Sequence, residues 1–173
     1  MPPKPKYYWD ACIFISWIKD EKVPPRQPGE MEGLAEIVDE IDRGQVILVT
    51  SVMTLTEVLE STLTPAQRGQ FELTMKRPST VIMNVDMRVG QLSSQIRDHY
   101  RQEGMNVKAP DAIHLASAVL AKVNALHTFD PDLLRFNGNV GQNPLTVCKP
   151  LGTQRVMRFE APAEGPDRRR IVL

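Results

Sequence analysis

Cysteine is scarce in this chain of 173 residues: Cys12 and Cys148 stand alone, without CxxC spacing. They read as thiols of a reduced, cytoplasmic setting, with one disulfide the only covalent link they could form. Long apolar runs are missing as well. None approaches the roughly 20 residues that a membrane-spanning helix requires. The opening MPPKPK leads into a short mixed segment interrupted by Asp10, which does not read as a secretory signal. There is no internal repeat or low-complexity block, and the length suits one domain with a substantial core.

Net charge is absent too, with 21 Lys+Arg against 21 Asp+Glu. The balance is uneven along the chain. Residues 31–148 hold 10 basic against 14 acidic residues (−4), whereas residues 149–173 hold 6 against 3 (+3). An acidic body with a basic tail predicts no broad positive surface, so contact with nucleic acid must be local or bridged by metal. The tail, with Pro162, Gly165, Pro166 and Arg168 to Arg170, shows no period. The expected division is a domain over residues 1–149 and a basic extension over 150–173.

What is present is an alternation of strand-like and helix-like segments. Tyr7–Trp9, Val46–Val49, Val81–Val85, Ala125–Phe129 and Leu145–Cys148 read as strands. Helical spacing marks Ala11–Ile18, Leu34–Ile41, a segment capped by Ser51, another opened by Thr64-Pro65, and Val89–Tyr100. The clearest helix follows Pro110, with Ala112, Leu115, Ala116, Val119, Leu120 and Val123 on one stripe. Gly44 and Gly104 are stop signals, and Lys19–Glu32, with Pro24, Pro25 and Pro28, reads as a mobile loop. Met53, Met75, Met83 and Met87 read as core filler. The pattern predicts an α/β domain around a largely parallel sheet.

Four carboxylates lie beside or within apolar segments: Asp10, Glu57, Asp111 and Asp130. Singly, each has an ordinary explanation. Asp111 suits a helix N-terminus, Glu57 a solvated face shared with Thr54 and Ser61, and Asp130-Pro131 a turn. Asp10, among Tyr7, Tyr8, Trp9, Ile13 and Phe14, is the hardest to explain in that way. Ligands of open α/β sheets gather beyond the carboxyl ends of the strands, where these four acids can converge. Crowded carboxylates are relieved by protonation or by a cation. An all-oxygen donor set suits Mg²⁺ or Mn²⁺, and such a site supports in-line hydrolysis of a phosphodiester.

The strand followed by Asp10, TLTEVLE, PDAIHLASA and HTFDPDLL, in that order and secondary-structure context, resemble a PIN domain, especially its toxin-like (VapC) members, with PDAIHLASA the most specific match. The resemblance covers roughly residues 7–148. It implies a Rossmann-like three-layer α/β/α sandwich and an endoribonuclease dependent on Mg²⁺ or Mn²⁺. Asp10, Glu57 and Asp111 would be the core ligands, Asp130 would complete the site, and Thr128 would be an orienting hydroxyl. Hydrolysis would leave a 5′-phosphate and a 3′-hydroxyl. An RNA substrate, a possible antitoxin protein and a homodimer follow from the same resemblance, with no membrane association. Position 12 departs from it: many relatives carry a small hydroxyl or amide residue there, so polar support from Cys12 is not expected, while the metal reading is unaffected.

Other residues carry less. His114, three residues after Asp111, reads as a hydrogen-bonded packing residue rather than a base. Arg97, Arg101 and Arg168 to Arg170 are candidates for RNA contact but are ordinary on exposed faces and tails. The Pro-rich loop and helix Leu34–Ile41 are the expected partner surface. Two further functions compete with the nuclease. One is a non-catalytic PIN-like module that binds RNA or protein. The other is an Asp-based phosphotransferase, disfavoured because position 12 lacks the second Asp.

Overall fold

The computed structural model describes residues 3–20 and 29–150; most of the Pro-rich loop and the basic extension lie outside them. In chain order the elements are β1 (Lys6–Trp9), α1 (Ala11–Lys19), α2 (Glu30–Asp42), β2 (Ile47–Ser51), α3 (Val52–Glu60), α4 (Pro65–Met75) and β3 (Thr80–Met83). There follow α5 (Met87–Gln102), α6 (Ala109–Ala121), β4 (Ala125–His127), α7 (Pro131–Leu134), β5 (Gly138–Val140), β6 (Asn143–Leu145) and β7 (Val147–Cys148). Five strands form one parallel sheet in the order β3-β2-β1-β4-β7. This is the expected α/β/α sandwich.

Alternation along the strands builds the layers, because successive side chains leave opposite faces. Tyr8, Val49 and Leu126 join a core with Val89 and Ile96 of α5 and Leu115 of α6. Trp9 and Leu48 point the other way, into a core with Ile13 and Phe14 of α1, Leu34 and Ile37 of α2 and Phe71 of α4. Leu34, Ile37 and Ile41 are thus all consumed by the interior. Only the outer face of α2 is left for a partner.

The chain runs outward from β1 through β2 to β3, then returns to β4 on the other side of β1. The order reverses between β1 and β4, where the flanking connections diverge and leave a crevice beyond the carboxyl ends. The register aligns Trp9 with His127, so Asp10 and Thr128 follow their strands at the same level.

Several local expectations are corrected. Ser51 occupies the N-cap position of α3 but makes no capping bond; its hydroxyl accepts from Tyr8 Oη at 2.8 Å. The last strand divides: Leu145 belongs to an antiparallel hairpin of β5 and β6, and only Val147–Cys148 joins the main sheet. Gly141, at φ 61°, takes the tight turn of that hairpin. β4 ends at His127, two residues short of Phe129. The stripe of α6 is rotated, so that Leu120 is exposed while His114, Ser117 and Ala118 are buried. Met87 is 76% exposed and fills no core. By contrast, Thr64 and Gln67 form the capping box that Thr64-Pro65 foreshadows. No helix among the described residues is long and apolar enough to cross a membrane.

His127 sits in the sheet with its side chain almost fully enclosed. Its Nδ1 accepts from Trp9 Nε1 at 3.2 Å, and the Tyr7 ring lies 4.6 Å away. Burial depresses its pKa from 6.5 to about 4. The unfolded chain therefore binds this proton first. Stability is unaffected above pH 6.5 and falls as pH drops from 6.5 towards 4. Urea unfolding at pH 7 and pH 4.5 should show wild type losing about 2 to 3 kcal/mol more than His127→Gln. Equal losses would contradict this account.

Candidate functional site

Asp10 ends β1 and caps α1. One carboxylate oxygen, Oδ1, accepts from the Ile13 amide at 3.1 Å and from Cys12 Sγ at 2.9 Å. The other, Oδ2, accepts from the Thr128 hydroxyl at 2.5 Å. These donors and His114 all favour the ionised form, yet burial outweighs them and pushes the carboxyl above the usual range. Asp10 is only 3% exposed.

Thr128 bridges the crevice. While its hydroxyl donates to Asp10, the same oxygen accepts from the Asp130 amide at 2.9 Å. It thereby fixes the segment after β4 against the segment after β1. Asp130 caps the short helix α7 by accepting from the Asp132 amide at 2.8 Å. Asp111, in the first turn of α6, is half-buried and its pKa is raised, first by desolvation and then by the charge of Asp130; Lys108 and His114 oppose the shift. Lys108 itself pairs with Asp132 at 3.2 Å.

Glu57 meets His114, with Oε2 2.9 Å from Nε2. His114 Nδ1 lies 2.9 Å from Tyr8 Oη, which also contacts Ser51. His114 is therefore the hydrogen-bonded residue that its position suggested, though its partner is Glu57 rather than Asp111. Cys12 is a correction. Its thiol donates to Asp10, and its sulfur accepts from the Phe129 amide at 3.1 Å, so it does give the polar support expected only of a hydroxyl or amide. Arg97 donates to the Val107 carbonyl and Arg101 pairs with Asp98, leaving neither side chain without a protein partner.

The structure thus joins Asp10, Thr128 and the Asp130 segment by hydrogen bonds, places Asp111 within the field of Asp130, and holds Glu57 through His114. Among the described residues, no three His, Cys, Asp or Glu side chains are gathered into a ready metal cage. The donor chemistry nevertheless fits a hard divalent cation: all four candidate groups are carboxylates, and a cation would relieve both the burial of Asp10 and the Asp111–Asp130 repulsion. Tyr8, Ser51, Cys12 and Lys108 were not among the residues the sequence singled out for this site. The one available signal was the polar atom each carries next to a motif.

A parallel sheet with an acid-edged crevice at its reversal point defines an α/β/α protein with a polar site at the strand ends. Residues 7–139 match the PIN domain, and the chain belongs to that family of nucleases. Its fold is similar to VapBC2 from Rickettsia felis bound to a promoter DNA fragment, at 14% identity and TM-score 0.60, over 82% of this chain and 96% of that one. A toxin–antitoxin complex from Klebsiella pneumoniae is 20% identical with TM-score 0.56, over 84% and 98% of the two chains. The Mycobacterium tuberculosis toxin VapC20, which cleaves the sarcin–ricin loop, is 13% identical with TM-score 0.55, over 80% and 99%. No curated protein matches the sequence.

The Cys12 thiol is raised well above its ordinary range, chiefly by burial and then by the Asp10 charge; burial also raises Cys148. Both thiols are free. With so little thiolate at pH 8, iodoacetamide should modify each at least about ten-fold more slowly in the folded protein than in urea. Rapid labelling of folded Cys12 would contradict the half-buried, donating thiol.

Proposed function

We propose that this protein is a divalent-metal-dependent endoribonuclease acting as the toxin of a type II toxin–antitoxin pair. The observation that supports the reading is the buried Asp10 carboxylate at the end of β1, which holds three hydrogen bonds and is tied through Thr128 to the segment that carries Asp130. A buried acid with a raised pKa at a strand end is suited to a cation.

In this reading Asp10, Glu57 and Asp111 hold Mg²⁺ or Mn²⁺, and Asp130 completes the site. When bound, such a cation supplies charge neutralisation at the phosphate and a water acidic enough to attack it. The chain's own part is positional. Thr128 fixes the Asp10 carboxylate by donating to Oδ2, and the Ile13 amide and Cys12 thiol fix Oδ1, so the acid is presented without reorganisation. Hydrolysis would leave a 5′-phosphate and a 3′-hydroxyl. Since the body is acidic, phosphate contact depends on the cation and on local cations such as Lys108. An antitoxin partner is supported by the similar fold of the Klebsiella toxin–antitoxin complex. Self-association as a homodimer and a cytoplasmic location belong to the same reading.

One observation favours the alternative, a non-catalytic module that binds RNA or protein: Glu57 has a protein partner in His114. Metal titration separates the two. A nuclease should gain thermal stability with Mn²⁺, and a binding module should not.

The direct test is cleavage of RNA by purified protein with Mn²⁺. Asp10→Asn and Asp111→Asn should each reduce cleavage by at least about 100-fold. Asn at position 10 can still cap α1, so the fold should survive. Cleavage by Asp10→Asn at the wild-type rate would overturn the proposal.

A further inference from the structure

The face of α3 that carries Glu57 meets the face of α6 that carries His114, where the small residues Thr54 and Ser117 are fully buried. Small side chains at a helix contact let the backbones approach, which is what brings Glu57 within reach of the His114 ring. The ring is held from its other side by Tyr8, and Tyr8 by Ser51 at the end of β2. A line of hydrogen bonds therefore runs from the sheet to the only candidate ligand that sits on α3.

Proton accounting along that line gives the ring one orientation. An ionised carboxylate only accepts, so the contact to Glu57 Oε2 requires a proton on His114 Nε2. Burial raises the Tyr8 pKa, which keeps the phenol protonated. Its single proton is directed among Nδ1 and the hydroxyls around it, those of Ser51, Thr54 and Ser117. Wherever the phenol proton points, the contact at 2.9 Å leaves Nε2 facing Glu57 Oε2. The ring is 3% exposed, so water does not compete for that bond.

We propose that His114 is a positioning residue. It holds Glu57 Oε2 through Nε2–H, which leaves Oε1 outside that bond to serve a cation, while Tyr8 and Ser51 fix the ring. The inference rests on the reading of Glu57 as a metal ligand. His114 does not touch the substrate and supplies no proton to the reaction. Partners that orient ligating groups in this way are worth about 10- to 100-fold in metal affinity.

Mn²⁺ binding by electron paramagnetic resonance, on the full chain and without RNA, tests this. Relative to wild type, His114→Leu should weaken Mn²⁺ binding about 10- to 100-fold. His114→Gln, whose amide can still donate to Glu57, should recover to within about three-fold. In a Glu57→Gln background, His114→Leu should add less than about two-fold, because the two residues act as one unit. A merely structural histidine would give the same loss with or without Glu57. If His114→Leu does not fold, the ring nitrogens of metal-free wild type, labelled with ¹⁵N-histidine and assigned with His114→Gln, provide a second measurement. A protonated Nε2 supports the proposal and a bare Nε2 overturns it. If Glu57→Gln weakens Mn²⁺ binding while His114→Leu binds as wild type, this inference alone falls. If wild type binds no Mn²⁺, the metal-site reading falls with it.

Discussion

The hydrogen bond from Thr128 to Asp10 closes the sheet at the place where its strand order reverses. Asp10 follows β1 and Thr128 follows β4, two neighbouring strands whose connections leave in different directions. Without a bridge, the two strand ends would border an open crevice. With it, one hydroxyl ties the α1 cap, the sheet and the segment leading to Asp130 into a single rim. The rest of the site is arranged around that tie.

Burying Asp10 opposes folding. Taking a carboxylate out of water costs several kcal/mol even after relaxation, and each bond from a neutral donor to a charged acceptor returns about 1.5 to 3 kcal/mol. Ile13, Cys12 and Thr128 supply three such bonds. Burial still prevails, because the Asp10 pKa remains raised despite them and despite His114. Asp111 is raised for a related reason, with Asp130 adding repulsion to partial burial. The crevice is an arrangement of acids left short of positive charge, and a hard cation is the group whose binding would reverse both shifts. Glu57 differs, because one of its oxygens has a protein partner in His114. Its role therefore depends on which of its oxygens remains free.

Local signals in the sequence carried much of the fold. The Thr64-Pro65 start, the Gly104 stop and the amphipathic helix after Pro110 all act within a few residues, so they could be read without tertiary context. The hairpin at 138–145 could not. Its strands have three residues each and contain Gly138, Asn139 and Pro144, so neither alternation nor β-propensity marks them. Ser51 looked like a cap because it precedes a helix, but its partner is a tyrosine 43 residues away in sequence. Leu120 and Met87 are apolar yet exposed, which periodicity alone does not distinguish from burial. For the site, the four acids stood out because their neighbours are apolar, and Thr128 entered only through the PIN resemblance. Cys12 was misjudged because a thiol is seldom weighed as a donor, and the Tyr8–His114–Glu57 line joins three elements that no sequence spacing connects.

The central claim is that Asp10, Glu57 and Asp111 serve one cation at the carboxyl edge of the sheet. Crystals soaked in Mn²⁺ and measured at a wavelength where manganese scatters anomalously test it most directly. The account predicts one strong anomalous peak in the crevice between β1 and β4, about 2.1 Å from carboxylate oxygens of Asp10 and Asp111 and reachable from Glu57 Oε1. No anomalous peak there at saturating Mn²⁺, or a manganese bound only elsewhere on the surface, would contradict it.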